Sequence, residues 1–338
     1  MHLISTLPEP VSDTFRIRDM RFADGGRLAE VRLHYTTLGT LQRDAEGRAT
    51  NAVLLLHGTG GNGQAFLRPQ FADVLFGPGQ LLDAGRYFLI MPDGIGHGRS
   101  SKPSAGLRAD FPHYSYADMV AAQHALITQG LGIDRLRLVL GTSMGGMHTW
   151  MWGYLHAAMV DALLPLAALP APIAGRNRML RRMAIDAIRN DPAWNNGAYE
   201  RQPPGLTTAI YILLLMISAP ARWQAEAPTA SAADTMFERM LGEYQASLDA
   251  NDLLYQFESA RDYDPTPYLE QICAPLLAVN FADDLVNPPE LGILEREIKR
   301  VAGGEAVVIP ANAASYGHRG HSWPILWQIH LERLLARR

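Results

Sequence analysis

The stretch 136–150, LRLVLGTSMGGMHTW, decides how the rest of the chain is read. A short apolar run, Leu136 to Leu140, enters a serine flanked by glycines, and a helical pattern (MHTWMWGYL) follows. Gly141-Thr142-Ser143-Met144-Gly145 is a G-x-S-x-G pattern, which serves chemistry only on a sharp strand-to-helix turn. Flanking glycines tolerate unusual dihedrals there and let backbone pass close by. Because the strand and the helix both stand where such a turn needs them, Ser143 is the candidate nucleophile. Met144 N–H, at the start of the following helix, is a candidate oxyanion donor, since amides at a helix start have no intrahelical acceptor.

Two more apolar runs precede this one. Ala52 to Leu56 (AVLLL) has the pattern of a strand buried on both faces, and it runs into His57-Gly58-Thr59-Gly60-Gly61. Thr59 N–H is the candidate second oxyanion donor, with His57 read as a brace for the loop. Tyr87 to Met91 (YFLIM) is the next strand, and Tyr116 to Leu131 is helical by its apolar spacing. Strand–turn–helix units repeated in this way predict an α/β fold, a mostly parallel sheet with helices on both faces. Residues 14–39, with Asp24-Gly25-Gly26 in the middle, read as a hairpin ahead of it. The pattern breaks near Pro170, and only helical segments follow until about Pro265. Strands resume at Leu276 to Val279 and Ala306 to Ile309, and Ile325 to Ala336 is a closing helix. The expected organisation is a core in two pieces, 1–169 and 266–338, with a helical cap or lid at 170–265.

Composition removes several alternatives. With 48% hydrophobic and 19% charged residues in 338, the chain buries a sizeable core and is not intrinsically disordered. Thirty basic and 34 acidic side chains give a net charge of −4 without long runs of one sign, so no nucleic-acid partner is expected. The single cysteine, Cys273, excludes an internal disulfide and a four-cysteine zinc site, and no metal or cofactor is expected. The first residues, MHLISTLPEPVSDTF, lack the basic patch and apolar run of a signal peptide. The longest apolar stretch, Ile210 to Ile217, falls short of the roughly 20 residues that span a bilayer. A cytoplasmic enzyme without a membrane partner is the expectation.

A serine nucleophile needs a base and a group to orient it, and after a nucleophile elbow the acid comes before the histidine. The two late strands supply both. Leu276 to Val279 leads to Asp283 and Asp284, and Ala306 to Ile309 leads to a loop with His318 and His321. Position relative to the strand and to Pro288 favours Asp284; the apolar Leu285 and Val286 favour Asp283. The reading takes Asp284, with Asp283 as alternate. It takes His321 over His318, because Ser322 and Pro324 would start the last helix there and hold the base firmly.

The chain resembles the homoserine O-acetyltransferase-like branch of the α/β-hydrolase superfamily over nearly its whole length. The resemblance is carried by LHYTTLGTL, NAVLLLHGTGGNG, LFGPGQLLDAGRYFLIMPDGIGHGRSSKP, GTSMGGMHTWMW, IDAIRNDPAWNNGAY, SLDANDLLYQFESARDYD, VNFADDLVNPP and YGHRGH. It implies an α/β-hydrolase fold with an inserted helical cap, Ser143 as nucleophile and Asp284 as acid, because two prolines follow Asp284 at the family's spacing. Tyr316-Gly317-His318 matches the letters of the family's YGHD, whereas Gly320-His321 holds the place that leads into the last helix. Relatives with such a cap often form homodimers, which the resemblance implies here. Four features depart from the acetyltransferases: His57-Gly58-Thr59-Gly60-Gly61 replaces a Leu-Thr-Gly type loop, Thr142 replaces a glycine, no aspartate follows either histidine, and the stretch between Ser100 and Phe111 is shorter than their Gly/Tyr-containing insertion. The His-Gly-x-Gly form belongs to plain hydrolases. The expectation is therefore a serine hydrolase cleaving a small-molecule carboxylic ester through Ser143, His321 and Asp284. Acetyl-CoA-dependent transfer to a hydroxyl acceptor is the alternative. Ile210 to Ile217, Trp194, Tyr199 and Trp223 would suit an apolar acyl or alcohol group, or simply pack the cap. Arg176, Arg178, Arg181 and Arg182 would bind a substrate carboxylate, or mark a solvated helix face.

Overall fold

In the computed structural model, residues 7–312 and 315–337 are described; residues 1–6, which carry part of the expectation about the amino terminus, lie outside them. Eight strands form one sheet in the order β1-β2-β4-β3-β5-β6-β7-β8. They are β1 Val11–Arg21, β2 Arg27–Leu38, β3 Ala52–Leu56, β4 Phe88–Pro92, β5 Leu138–Thr142, β6 Leu163–Leu166, β7 Leu276–Phe281 and β8 Gly304–Ile309. The hairpin β1–β2 joins β4 antiparallel, and every pairing from β4 to β8 is parallel. In β3 the side chains alternate between two cores: Leu54 and Leu56 belong to the one that holds Trp150 and Trp152, while Val53 and Leu55 belong to the one that holds Phe71 and Trp327. Burial on both faces is what the unbroken AVLLL run encodes.

The structure moves several expected boundaries. The third expected strand begins at Leu138, and Leu136 makes only an isolated bridge to Val160. The helix expected over 116–131 is α-helical for Tyr116–Ala125, behind a capping box in which Ser115 and Asp118 bond reciprocally, and ends in a π turn, Leu126–Gly130. The closing helix begins only at Gln328, after a 3₁₀ turn at Pro324–Leu326. Strand β6 is not foreseen in the sequence, because Pro165 sits inside LLPL and a proline argues against a central strand. It is accommodated because Leu163 and Ala167 on either side donate across to the Pro275 and Val279 carbonyls, at 3.0 and 2.9 Å, and only the bond between them is forgone.

The helices are α1 Pro69–Leu75, α2 Tyr116–Ala125, α3 Met144–Leu155, α4 Gly175–Arg189, α5 Pro204–Met216, α6 Pro220–Glu226, α7 Ala230–Ser247, α8 Ala250–Glu258, α9 Ile293–Glu297 and α10 Gln328–Leu335. Between β6 and β7 the chain carries α4 to α8 and no strand. This helical insertion is tied to the sheet's loops. The Tyr255 hydroxyl donates to the Ala109 and Phe111 carbonyls, each at 2.9 Å, and Gln256 Nε2 donates to Gly96 O at 2.9 Å. Among the described residues no single helix is long and apolar enough to cross a membrane; α5 and α6 pass that test only together, across a 103° bend.

Candidate active site

Ser143 stands between β5 and α3 with φ 54° and ψ −113°, a left-handed conformation that a side chain adopts at a cost of about 1–3 kcal/mol. The surroundings hold it there. Ser143 N–H donates to Leu166 O at 2.8 Å, so the edge of β6 anchors the turn. The flanking glycines are required by space: a Cβ on Gly141 would lie 1.9 Å from Gly145 O, and one on Gly145 would lie 1.9 Å from Leu56 O. The turn thus brings α3 against β3 and lifts the serine hydroxyl into a half-buried position.

Ser143 Oγ lies 2.8 Å from His318 Nε2, and His318 Nδ1 lies 2.8 Å from Asp284 Oδ2. Asp284 is 1% exposed. Its Oδ1 accepts the Val286 and Asn287 amides at 2.7 and 3.1 Å. Burial pushes the Asp284 pKa up, but the His318 imidazole and these amides outweigh it and hold the group below the usual carboxylate range. An ionised Asp284 fixes the His318 proton on Nδ1, which leaves the Nε2 lone pair facing the serine hydroxyl. The line is able to draw the proton from Ser143 Oγ as that oxygen attacks.

His321 is not in this line, and the expectation that placed it there is corrected. Its Nδ1 lies 3.0 Å from Ser322 Oγ, and its ring stands edge-on to His318 with centroids 5.4 Å apart. Burial, and then His318, push its pKa down to about 3. The physical reason is where the helical turn starts. A 3₁₀ turn begins at Gly317, whose φ of +57° redirects the chain, so His318 is the residue anchored at a helical start. Asp283, the alternate acid, accepts the Gly317 amide at 2.8 Å and thereby pins that turn instead of the imidazole.

The oxyanion candidates flank the serine. Met144 N–H is the first amide of α3, and among the described residues no acceptor takes Thr59 N–H. Gly58 packs so closely that its Cβ would lie 3.2 Å from Ser143 Cβ. His57 braces this loop, with Nδ1 2.9 Å from Gly58 O and Nε2 accepting the Gly94 amide at 2.9 Å. His148 points into the core, where Nδ1 accepts from Gln123 at 3.1 Å, and burial pushes its pKa down to about 3. Trp194 and Tyr199 donate to Asn251 and Asp249 inside the insertion, each at 2.7 Å. The sequence reading missed Asn287, whose side chain donates to Ala167 O at 2.8 Å and locks the acid's loop to β6. Its place three residues after Asp284 was the available signal. Among the described residues no group of three or more His, Cys, Asp or Glu side chains is placed to hold a metal ion.

Residues 51–294 match the family model for the alpha/beta hydrolase fold. The chain is 31% identical over 349 residues to the homoserine O-acetyltransferase of Geobacter sulfurreducens, covering 92% of each chain. Among solved structures it is similar to the homoserine O-acetyltransferase of Bacillus anthracis, with a TM-score of 0.83 at 23% identity over 97% of this chain and 98% of that one. It is also similar to an acetylester hydrolase from Corynebacterium glutamicum, with a TM-score of 0.82 at 22% identity over 96% of each.

Proposed function

The chain belongs to the α/β-hydrolase family, in its homoserine O-acetyltransferase-like branch, and from that premise we propose that it transfers an acyl group through Ser143 to a hydroxyl acceptor. The observation that carries the acyl-enzyme chemistry is the unbroken hydrogen-bonded line Ser143–His318–Asp284, with 2.8 Å at each step; the choice of a hydroxyl acceptor is supported by similarity to a homoserine O-acetyltransferase. In the first half-reaction Ser143 Oγ attacks the carbonyl of an acyl thioester or ester while its proton passes to His318 Nε2. Met144 and Thr59 N–H receive the negative charge on the carbonyl oxygen, each such donor supplying about 3 kcal/mol. Collapse of the intermediate breaks the bond to the leaving thiolate or alkoxide, which takes the proton from His318. In the second half-reaction the acceptor hydroxyl gives its proton to His318 and attacks the acyl carbon, and Ser143 Oγ leaves and takes that proton back. Asp284 holds the imidazole in the required tautomer and stabilises the imidazolium in both halves.

Transfer differs from hydrolysis only in the molecule that enters second. Similarity to a homoserine O-acetyltransferase over 92% of both chains supports a hydroxyl acceptor over water, and so favours transfer over the ester cleavage expected from the loop. Hydrolysis stays as the second reading on one observation: the His57-Gly58-Thr59-Gly60-Gly61 loop beside Ser143 has the form of plain hydrolases. Thiol release from acetyl-CoA, measured with and without homoserine, separates the two. We expect homoserine to raise the rate about tenfold or more over the hydrolytic background and Ser143→Ala to abolish both. A rate indifferent to homoserine, together with rapid cleavage of p-nitrophenyl acetate, would favour the hydrolase.

A further inference from the structure

The turn that carries the base has a partner on each side. Toward the core, Asp283 accepts the Gly317 amide at 2.8 Å and Asp284 meets His318 Nδ1. Toward the insertion stands the 103° bend between α5 and α6. A Cβ on Gly317 would lie 3.1 Å from Ser218 O and 3.3 Å from Ala219 Cβ, so the bend packs directly on the turn. Next, on α6, Arg222 places its Cζ 3.6 Å from the centroid of the Tyr316 ring. Trp323 stacks on the same ring, with centroids 4.4 Å and planes 17° apart. Both partners stand too close to the ring centre to share a face, so Tyr316 is sandwiched between them. Tyr316 and Trp323 are the two caps of the 3₁₀ turn Gly317–Ser322, and the stack joins its ends. A second contact fixes the guanidinium: Arg222 Nη2 pairs with Glu226, on its own helix, at 2.7 Å.

A turn of this kind needs outside support. Six residues is long for a 3₁₀ helix, whose hydrogen bonds are poorly aligned, and no side chain caps its start. Its place depends on what packs against it, and His318 moves with it. A cation over an aromatic face is held there by the ring's quadrupole, which makes Arg222 a fastener between α6 and the turn. We propose that Arg222 is a positioning residue for the base: it closes the Tyr316–Trp323 stack from the insertion and so fixes His318 opposite Ser143. Seating of the insertion thereby becomes a condition for activating the nucleophile. That role rests on the reading of Ser143–His318–Asp284 as the reacting line. A displaced imidazole costs rate and not affinity, because proton transfer depends on ångström-scale placement and ground-state binding does not pass through the base.

Steady-state kinetics with p-nitrophenyl acetate test it. We expect Arg222→Met to lower kcat about 10- to 100-fold with KM within about twofold. Arg222→Lys, which keeps a cation over the ring, is expected to recover most of that loss. Tyr316→Phe keeps the face and is expected to match wild type, whereas Tyr316→Leu is expected to match Arg222→Met. The double variant Arg222→Met/Tyr316→Leu is then no slower than the slower single one, because both remove the same contact. Losses that multiply in the double variant, a change confined to KM, or a wild-type kcat in Arg222→Met would each overturn the proposal. Carbethoxylation by diethyl pyrocarbonate, read by peptide mass spectrometry, keeps the test independent of turnover at Ser143. His318 in Arg222→Met is expected to react about fivefold faster or more than in wild type, while His148, 1% exposed in the core, stays protected. Equal rates at His318, or acceleration at His148 as well, would overturn the proposal. If Ser143→Ala keeps full activity while His318 responds in this way, the acyl-transfer reading fails and the clamp stands.

Discussion

His318 and His321 lie three residues apart with their rings edge-on, and only His318 has a hydroxyl on one nitrogen and a carboxylate on the other. Two contacts far apart in sequence make the difference. Asp283 takes the Gly317 amide, and Asp284 meets Nδ1, so the turn and the ring are fixed by adjacent residues at the end of β7. Neither contact is visible in the letters Tyr316-Gly317-His318-Arg319-Gly320-His321, where both histidines satisfy the chain order. Ser143 is legible because its constraints are local: a strand, two close-packed glycines and a helix within fifteen residues. The base is not, because its constraint is the docking of two loops. His318→Ala is expected to lower kcat for p-nitrophenyl acetate about a thousandfold or more, and His321→Ala less than about tenfold. A larger loss at His321 would reverse the assignment.

Among the elements, α3 carries the site, and its approach to the sheet is set by glycine. Gly145 faces Leu56 O and Gly141 faces Gly145 O, both backbone atoms that cannot swing aside. A methyl group at position 145 forces α3 away from β3 and moves Ser143 with it. Gly145→Ala is therefore expected to cost about 3 kcal/mol or more, seen as a lower midpoint in urea. Gly242, inside α7, has nothing within 4 Å of the place its Cβ would take. Gly242→Ala is expected to stabilise by about 0.5–1 kcal/mol, and equal effects at the two sites would contradict this account of the turn. Strands β3, β4, β7 and β8 are legible as apolar runs between turn residues. Strand β6 is not, because Pro165 breaks the local rule and only its neighbours' bonds to Pro275 and Val279 keep the segment in the sheet.

In the whole molecule, one sheet interrupted by a helical insertion places the three residues of the line on the loops after β5, β7 and β8. The alternation of strands and helices makes the α/β class legible from sequence. The choice between water and a hydroxyl acceptor is less so. The hydrolase expectation leans on a five-residue loop, whereas the second half-reaction depends on how the cleft excludes water and holds its second substrate, a property of core and insertion together. The claim that unites these scales is that Ser143 itself carries the acyl group. Acid quench of the enzyme with acetyl-CoA, followed by mass spectrometry of its peptides, measures this directly. The account predicts one acetyl group on the Ser143 peptide, discharged when homoserine is added and absent from Ser143→Ala. Undiminished turnover in Ser143→Ala, or an acetyl group carried on another residue, would contradict it.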